Sequence, residues 1–379
     1  MKYIIVNSST NIEYRVDLLY EYLTAAGNEV LVIASDYVHA EKRWRSVAKH
    51  PYLLLPTKAY RKNISVGRLY SHYCFSRDAY REIRQTDADV LYLVIPQNSN
   101  AEIAEQYRRD HPNTKIIMDI VDLWPESLPF RGTRFFPFSL WANVRNRHLK
   151  DADIVITECK YYQKQLKKWL KGKLTETIPW LKRWRPWNSR FEQTGWQLPE
   201  GELRFCYLGA VNHIVDIDRI GQLLKLSASV KKTKLHLIGI GESKDRLKQT
   251  AVKAGAEVID HGAVYDETEK QRIMDECHFG LNVMKASVSV GLSMKSIDYL
   301  AAGLPILNSL PGDSAALAAQ KGVGLNLPVR IEELLQFQAD RRAVRRMFEA
   351  YFSDRSLPDY WKKLGLGDGE GERQRKKQG

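Results

Sequence analysis

Two successive arrays of short apolar runs, each run separated from the next by a longer amphipathic stretch, restrict this chain to a small set of folds. In the first half the runs fall at 2–6, 29–34, 90–95, 115–119 and 154–157, with helical spacing between them, as at 12–26 and 101–109. Strand, helix and strand in that rhythm predict βαβ units and a mostly parallel sheet. The rhythm stops over 177–202, where Pro179, Trp180, Trp184, Pro186, Trp187, Pro199 and Gly201 predict a linker or a long surface segment. It resumes at 203–208 and continues at 234–238, 257–260, 279–284 and 305–308. The expected organisation is α/β: a domain at 1–178, a linker at 179–202, a second domain at 203–350, and a helix at 351–366 packing back on the first domain. The polar, glycine-rich tail at 367–379 is expected to be disordered.

Composition excludes several classes. Of 379 residues, 44% are hydrophobic and 27% charged, which suits a soluble globular protein. No uncharged apolar run approaches the roughly 18 residues that a membrane-spanning helix needs. The start, Met1-Lys2-Tyr3-Ile4-Ile5-Val6, meets Asn7-Ser8-Ser9 too soon for a signal peptide and reads as a buried strand. Cys74, Cys159, Cys206 and Cys277 are scattered without a CxxC pair, which argues against zinc and against a disulfide framework and for a reducing cytosol. The net charge of +13 admits nucleic acid, an anionic membrane or a phosphorylated substrate as partner, but no nucleic-acid recognition motif accompanies it, so no nucleic-acid partner is expected.

The most informative stretch is 290–307. Ser293 is a good N-cap, Gly303 a good C′ residue and Pro305 follows the stop, so a helix is expected over about 294–302. Gly291 and Leu292 precede it, and free N–H groups with the positive end of the helix dipole make an anion site there. Lys295 in the first turn adds a full charge, and Asp298 is three residues on, on the same face. A diphosphate at the helix start with a ribose on Asp298 fits this spacing; an ordinary capped helix with a Lys–Asp pair fits it equally. A second candidate is Asp119-Ile-Val-Asp122-Leu-Trp-Pro-Glu-Ser-Leu128, which follows a strand where open α/β sheets bind ligands. There Asp122 and Glu126 suit sugar hydroxyls and Trp124 suits a pyranose face. The alternative is a core Trp124 and an Asp122 that caps a turn.

Lys295-x-x-Asp298-Tyr-Leu-Ala-Ala-Gly-Leu-Pro305 resembles the donor segment of glycosyltransferase family 4, and Asp122-Leu-Trp-Pro-Glu-Ser127 resembles a stretch in members acting on polysaccharide precursors. The resemblance spans about residues 1–365. It implies the GT-B fold: two Rossmann-like domains with parallel sheets facing a central cleft, and a donor site mainly in the second. Asp298 falls on the family's ribose-holding acid, and Val290 falls where many members carry a glutamate. Leu203-Arg-Phe-Cys-Tyr-Leu-Gly209-Ala-Val-Asn212-His213 resembles the opening strand and glycine turn of the second domain, with Val211, Asn212 and His213 where many relatives have an arginine and, a few residues later, a lysine. Gly239-Ile-Gly241-Glu242 resembles its next turn, and His261-Gly262 the one after.

The implied activity is transfer of a sugar from a nucleoside-diphosphate sugar, UDP- or GDP-linked, to a hydroxyl of a glycan or polyprenyl-diphosphate-linked acceptor in exopolysaccharide, capsule or O-antigen synthesis. Retention of configuration is implied, and no cofactor. No acid-rich pair suggests a metal, so none is expected. Donor contacts are expected from Gly209, Asn212, His213, Gly241, Glu242, Gly291, Leu292, Lys295 and Asp298, acceptor contacts from Trp124 and Glu126, and a catalytic role from Asp122. The alternatives are a silent GT-B partner subunit and a sugar-nucleotide epimerase. The location expected is cytoplasmic, with the basic-aromatic stretches 180–187 and 39–60 touching the inner face of a membrane.

Overall fold

The apolar runs become strands buried on both faces, as a parallel sheet covered by helices requires. All six residues of the strand Val90–Ile95 are buried. A computed structural model of the chain describes residues 1–62, 65–128, 135–192, 197–288 and 290–366. The tail expected at 367–379 lies outside the described residues. The chain divides into two compact units, one made of Met1–Leu181 with Ser356–Gly379 and the other of Lys182–Arg355.

In the first unit the strands are β1 (Lys2–Asn7), β2 (Glu29–Ser35), β3 (Tyr37–Val38), β4 (Arg43–Trp44), β5 (Leu53–Leu55), β6 (Val90–Ile95), β7 (Lys115–Ile120), β8 (Ile154–Thr157) and β9 (Leu174–Thr177). Seven form one sheet in the order β5-β2-β1-β6-β7-β8-β9, all parallel, while β3 and β4 make a small hairpin. The helices are α1 (Glu13–Ala25), α2 (Val66–Ile83), α3 (Ala101–Asp110), α4 (Phe138–Asn146) and α5 (Lys160–Leu166). A buried ion pair crosses the core beneath α1. Arg15 grips Asp119 with two bonds of 2.6 and 2.9 Å and donates to the carbonyls of Ile178 and Pro179, while the Tyr92 hydroxyl donates to Asp119 at 2.6 Å.

In the second unit β10 (Glu202–Leu208), β11 (Lys232–Ile238), β12 (Ala256–Gly262), β13 (Phe279–Asn282), β14 (Ile306–Asn308) and β15 (Gly324–Asn326) form a parallel sheet in the order β12-β11-β10-β13-β14-β15. Its helices are α6 (Ile217–Ala228), α7 (Lys244–Lys253), α8 (Glu267–Asp275), α9 (Met294–Ala301), α10 (Asp313–Ala318), α11 (Ile331–Gln336) and α12 (Arg341–Tyr351). The last helix, α13 (Leu357–Lys363), returns to the first unit, where Trp361 is 1% exposed among Tyr3, Tyr92 and Leu19. Both sheets have the doubly wound order, in which strand succession reverses beside the first strand.

Within the stretch expected to be a linker, residues 182–192 belong to the second unit. Lys182 exchanges backbone bonds with Phe352 and Asp354, and Trp187 is buried against Gly303 with its indole N–H on the Ala302 carbonyl. The Trp184 indole N–H donates to Glu349, and the Arg355 guanidinium covers its ring at 3.3 Å. Both tryptophans thus pack against the second unit.

Candidate functional site

In an open doubly wound sheet, ligands bind beyond the carboxyl ends of the strands at the point where strand order reverses. In the second unit that point lies between β10 and β13, so its loops are those after Leu208 and Asn282. The turns after β10 and β11 are stitched together: Gly209 N–H donates to Ile238, Val211 N–H to Ile240 and Ser243 N–H to Val211, each at 2.9 Å. A Cβ at Gly239 would stand 2.1 Å from the Gly209 carbonyl oxygen, and one at Gly241 2.3 Å from that of Val211. Both positions therefore demand glycine, and Gly241 serves this close approach. Asn212 turns its side-chain oxygen onto the Ile214 N–H at 3.2 Å. His213 and Glu242 meet at the rim: the glutamate accepts the His213 backbone N–H at 3.1 Å and lies 3.7 Å from its ring nitrogen, with both side chains about two-thirds exposed (68% and 64%).

The expected helix forms as α9. Ser293 caps it, accepting the Ser296 N–H at 3.2 Å, and Gly303 at φ 68° ends it. What aims the cap was not foreseen. β13, β14 and β15 each end in Leu-Asn, and their parallel register sets Asn282, Asn308 and Asn326 side by side. Asn282 donates to Asn308 and Asn308 to Asn326, each at 2.8 Å, while the Ser293 hydroxyl donates to Asn282 at 2.7 Å. Asn308 also bonds both backbone groups of Leu310, so its amide is fully used. The repeated Leu-Asn was the available signal. Because Asn282 and Leu310 are buried, Asn308→Ala is expected to cost about 2 kcal/mol and to loosen the start of α9. Chemical denaturation, with exchange of the Ser296 amide as the local readout, checks this.

Gly291 and Leu292 are buried just before the cap, and the Gly291 carbonyl accepts the Ser314 N–H. Lys295 turns into the unit: its ammonium donates to the Tyr207 hydroxyl at 3.0 Å and lies 4.2 Å over that ring. Burial alone lowers its pKa to about 8, and no carboxylate among the described residues pairs with it. Asp298 does not form the i,i+3 pair with Lys295. It is bonded instead to Lys182, 116 residues earlier in sequence.

In the first unit the Asp122 loop follows β7. Burial raises the Asp122 pKa, and bonds from Ser127 (2.5 Å) and Tyr162 (3.3 Å) work against the rise. Trp124 lies under the guanidinium of Arg68 at 4.1 Å and edge-on to Trp141. Glu126 is held by the fully buried Arg145 through bonds of 2.7 and 3.3 Å, and Arg145 also donates to the Trp124 carbonyl. Glu126 thus fixes the loop, and the ring face of Trp124 is capped by a cation. Arg68, on α2, carried no motif that singled it out. Glu105, His148 and Asp151 bring ligand-type atoms within 4.8 Å, but Arg147 donates to the second ring nitrogen of His148 at 3.0 Å and makes the group a hydrogen-bonded cluster.

No family model matches the chain, and no curated protein matches it in sequence. Solved structures match it in fold. Sucrose-phosphate synthase (tll1590) from Thermosynechococcus elongatus has a TM-score of 0.69 over 96% of this chain and 99% of that one, at 14% identity. The lipopolysaccharide outer core galactosyltransferase WaaB, in its apo form, has 0.67 over 96% and 98%, at 12% identity. Anabaena Alr3699/HepE in complex with UDP has 0.63 over 94% and 97%, at 14% identity. The fold is GT-B. In this fold both candidate clusters occupy carboxyl ends of parallel strands, Lys295 and Asp298 beyond β13 and Asp122 beyond β7. No described helix is long and apolar enough to cross a membrane.

Proposed function

We propose that this GT-B chain is a glycosyltransferase that moves a sugar from a nucleoside-diphosphate sugar to a hydroxyl of a glycan or lipid-linked acceptor. The observation that carries the reading is Lys295, a half-buried side chain with no carboxylate partner among the described residues, in the first turn of a capped helix at the sheet's reversal point. Such a charge is stabilised when an anion arrives, and a diphosphate fits the helix N-terminus as well. The breaking bond leaves charge on the departing phosphate, which the helix N–H groups and Lys295 stabilise. Gly209, Asn212 and the His213–Glu242 pair would border the donor, and Asp122 would position the acceptor or meet developing charge on the sugar. Fold neighbours support the class of ligand, since HepE is solved with UDP-glucose and the pneumococcal O-GlcNAc transferase GtfA with UDP and GlcNAc. Retention, metal independence, membership of family 4 and a place in surface-polysaccharide synthesis extend the same proposal.

Calorimetry with UDP, GDP, ADP and their common sugars tests it, followed by donor turnover with glycan acceptors. Binding of none of them would remove the donor site. Binding without turnover, together with co-purification of another transferase, would leave a silent partner subunit. Conversion of a nucleotide sugar without acceptor would leave an epimerase.

The pH dependence has a definite sign. The Lys295 pKa is lowered to about 8 in the free protein, and a bound diphosphate raises it again. Donor affinity is therefore flat below about pH 8 and falls above it, by up to about tenfold per pH unit. Titrations of a nucleotide sugar at pH 6.5, 8.5 and 9.5 read this directly, and Lys295→Ala should flatten the profile.

A further inference from the structure

The first unit gathers cations around the Asp122 loop. Lys42, at the tip of the β3–β4 hairpin, lies 4.5 Å over the ring of Tyr60, and it adopts a left-handed backbone with φ 54°. Arg68 lies 5.5 Å from the same ring and 4.1 Å from that of Trp124. Two like charges on one ring repel, and burial followed by the Arg68 charge lowers the Lys42 pKa accordingly. His39 adds no charge. Its ring donates to the Ser8 carbonyl at 2.9 Å and accepts the Tyr60 hydroxyl at 2.6 Å, and burial with the nearby cations holds its pKa down at about 4. His72 accepts from Arg68 and is likewise kept neutral by burial. Around this group three buried side-chain atoms have no hydrogen-bond partner among the described residues: Ser8 Oγ, Gln97 Nε2 and Asn98 Oδ1. All three stand just past the ends of β1 and β6, the reversal point of this sheet. A buried polar atom left unpaired is unfavourable, and a polar ligand at such a point satisfies it.

From this juxtaposition we infer that the acceptor is an acidic sugar, carrying a carboxylate or phosphate that lies against Arg68 and Lys42 while its hydroxyl faces Asp122. The inference rests on reading this unit as the acceptor-binding one. It replaces the stacking of a neutral pyranose on Trp124, because Arg68 already covers that ring. A guanidinium held between two rings loses little freedom on binding, and its charge draws an oxyanion.

The test is calorimetry on the full chain with four probes: methyl β-glucuronide, glucose 6-phosphate, methyl β-glucoside and inorganic phosphate. The expected result is that at least one acidic sugar binds about tenfold or more tightly than both the neutral glucoside and inorganic phosphate. Whichever acidic sugar does so tells carboxylate from phosphate. Arg68→Gln and Lys42→Gln should each erase that preference. Arg81→Gln, an exposed charge on the same helix paired with Asp78, should leave it intact. Equal binding of acidic and neutral sugars overturns the inference, as does inorganic phosphate binding as tightly as the acidic sugars, or the preference surviving both substitutions. The donor proposal is read separately, since Lys295→Ala should weaken nucleotide-sugar binding and spare the acid preference. Acid preference without nucleotide binding sinks the donor site alone; nucleotide binding without acid preference sinks this inference alone.

Discussion

Asp119→Asn should destabilise the first unit by about 3–5 kcal/mol, the usual cost of removing one partner from a buried ion pair. Asp119 is fully buried and Arg15 nearly so, and the two are joined by a bidentate contact. Burial works against the guanidinium's charge, and Asp119, together with Tyr92 and Glu158, outweighs it, so the Arg15 pKa stands above its ordinary value. With asparagine the shape is kept and the counter-charge is lost, which leaves a desolvated cation. The Tyr92 hydroxyl, now on a neutral acceptor, loses strength as well. A unit of this size shifts its melting temperature by roughly 2–4 °C per kcal/mol, so a drop on the order of 10 °C is expected by scanning calorimetry. Arg15→Met with Asp119→Leu should recover much of it, because the apolar pair removes both charges together. An unshifted transition in the single variant would show that the pair contributes nothing.

Lys295→Ala should lower nucleotide-sugar affinity about 10- to 100-fold, the equivalent of one charged hydrogen bond of roughly 1.5–3 kcal/mol. The fold should survive, since the ammonium bonds only the Tyr207 hydroxyl among the described residues and its removal lifts a burial penalty. Stability measured alongside affinity therefore separates a binding role from a packing one. Unchanged affinity would remove the site. Asp298→Ala is a mixed experiment, because the carboxylate is bonded to Lys182. Lys182→Ala is its reference: if Asp298 binds ribose, freeing it from the lysine leaves affinity at least as high, whereas Asp298→Ala lowers it.

Long buried strands were legible because they carry a continuous apolar run bounded by turn residues. β1, β6, β10 and β11 stand where the runs lay, within two residues. The edge strands β5 and β9 and the three-residue β15 escaped notice. Three or four residues are too few to show a period, and β9 is only half-buried, so its Leu-Thr-Glu-Thr has no apolar pattern. Helix α9 was legible through its caps, because capping is a contact between residues three apart. The asparagine ladder behind Ser293 was not, since it joins positions 26 and 18 residues apart that only strand register aligns.

The sequence by itself determined the α/β class, the two parallel arrays, the helix at Ser293 and the loop at Asp122, because each follows from spacing within a dozen residues or so. Tertiary structure decided which charges meet. It paired Asp298 with Lys182, left Lys295 with no carboxylate among the described residues, set Glu126 on Arg145 and laid Arg68 over Trp124. Such pairings depend on how helices seat on a sheet and on strand register, which bring together residues tens to more than a hundred positions apart, and no local periodicity encodes them.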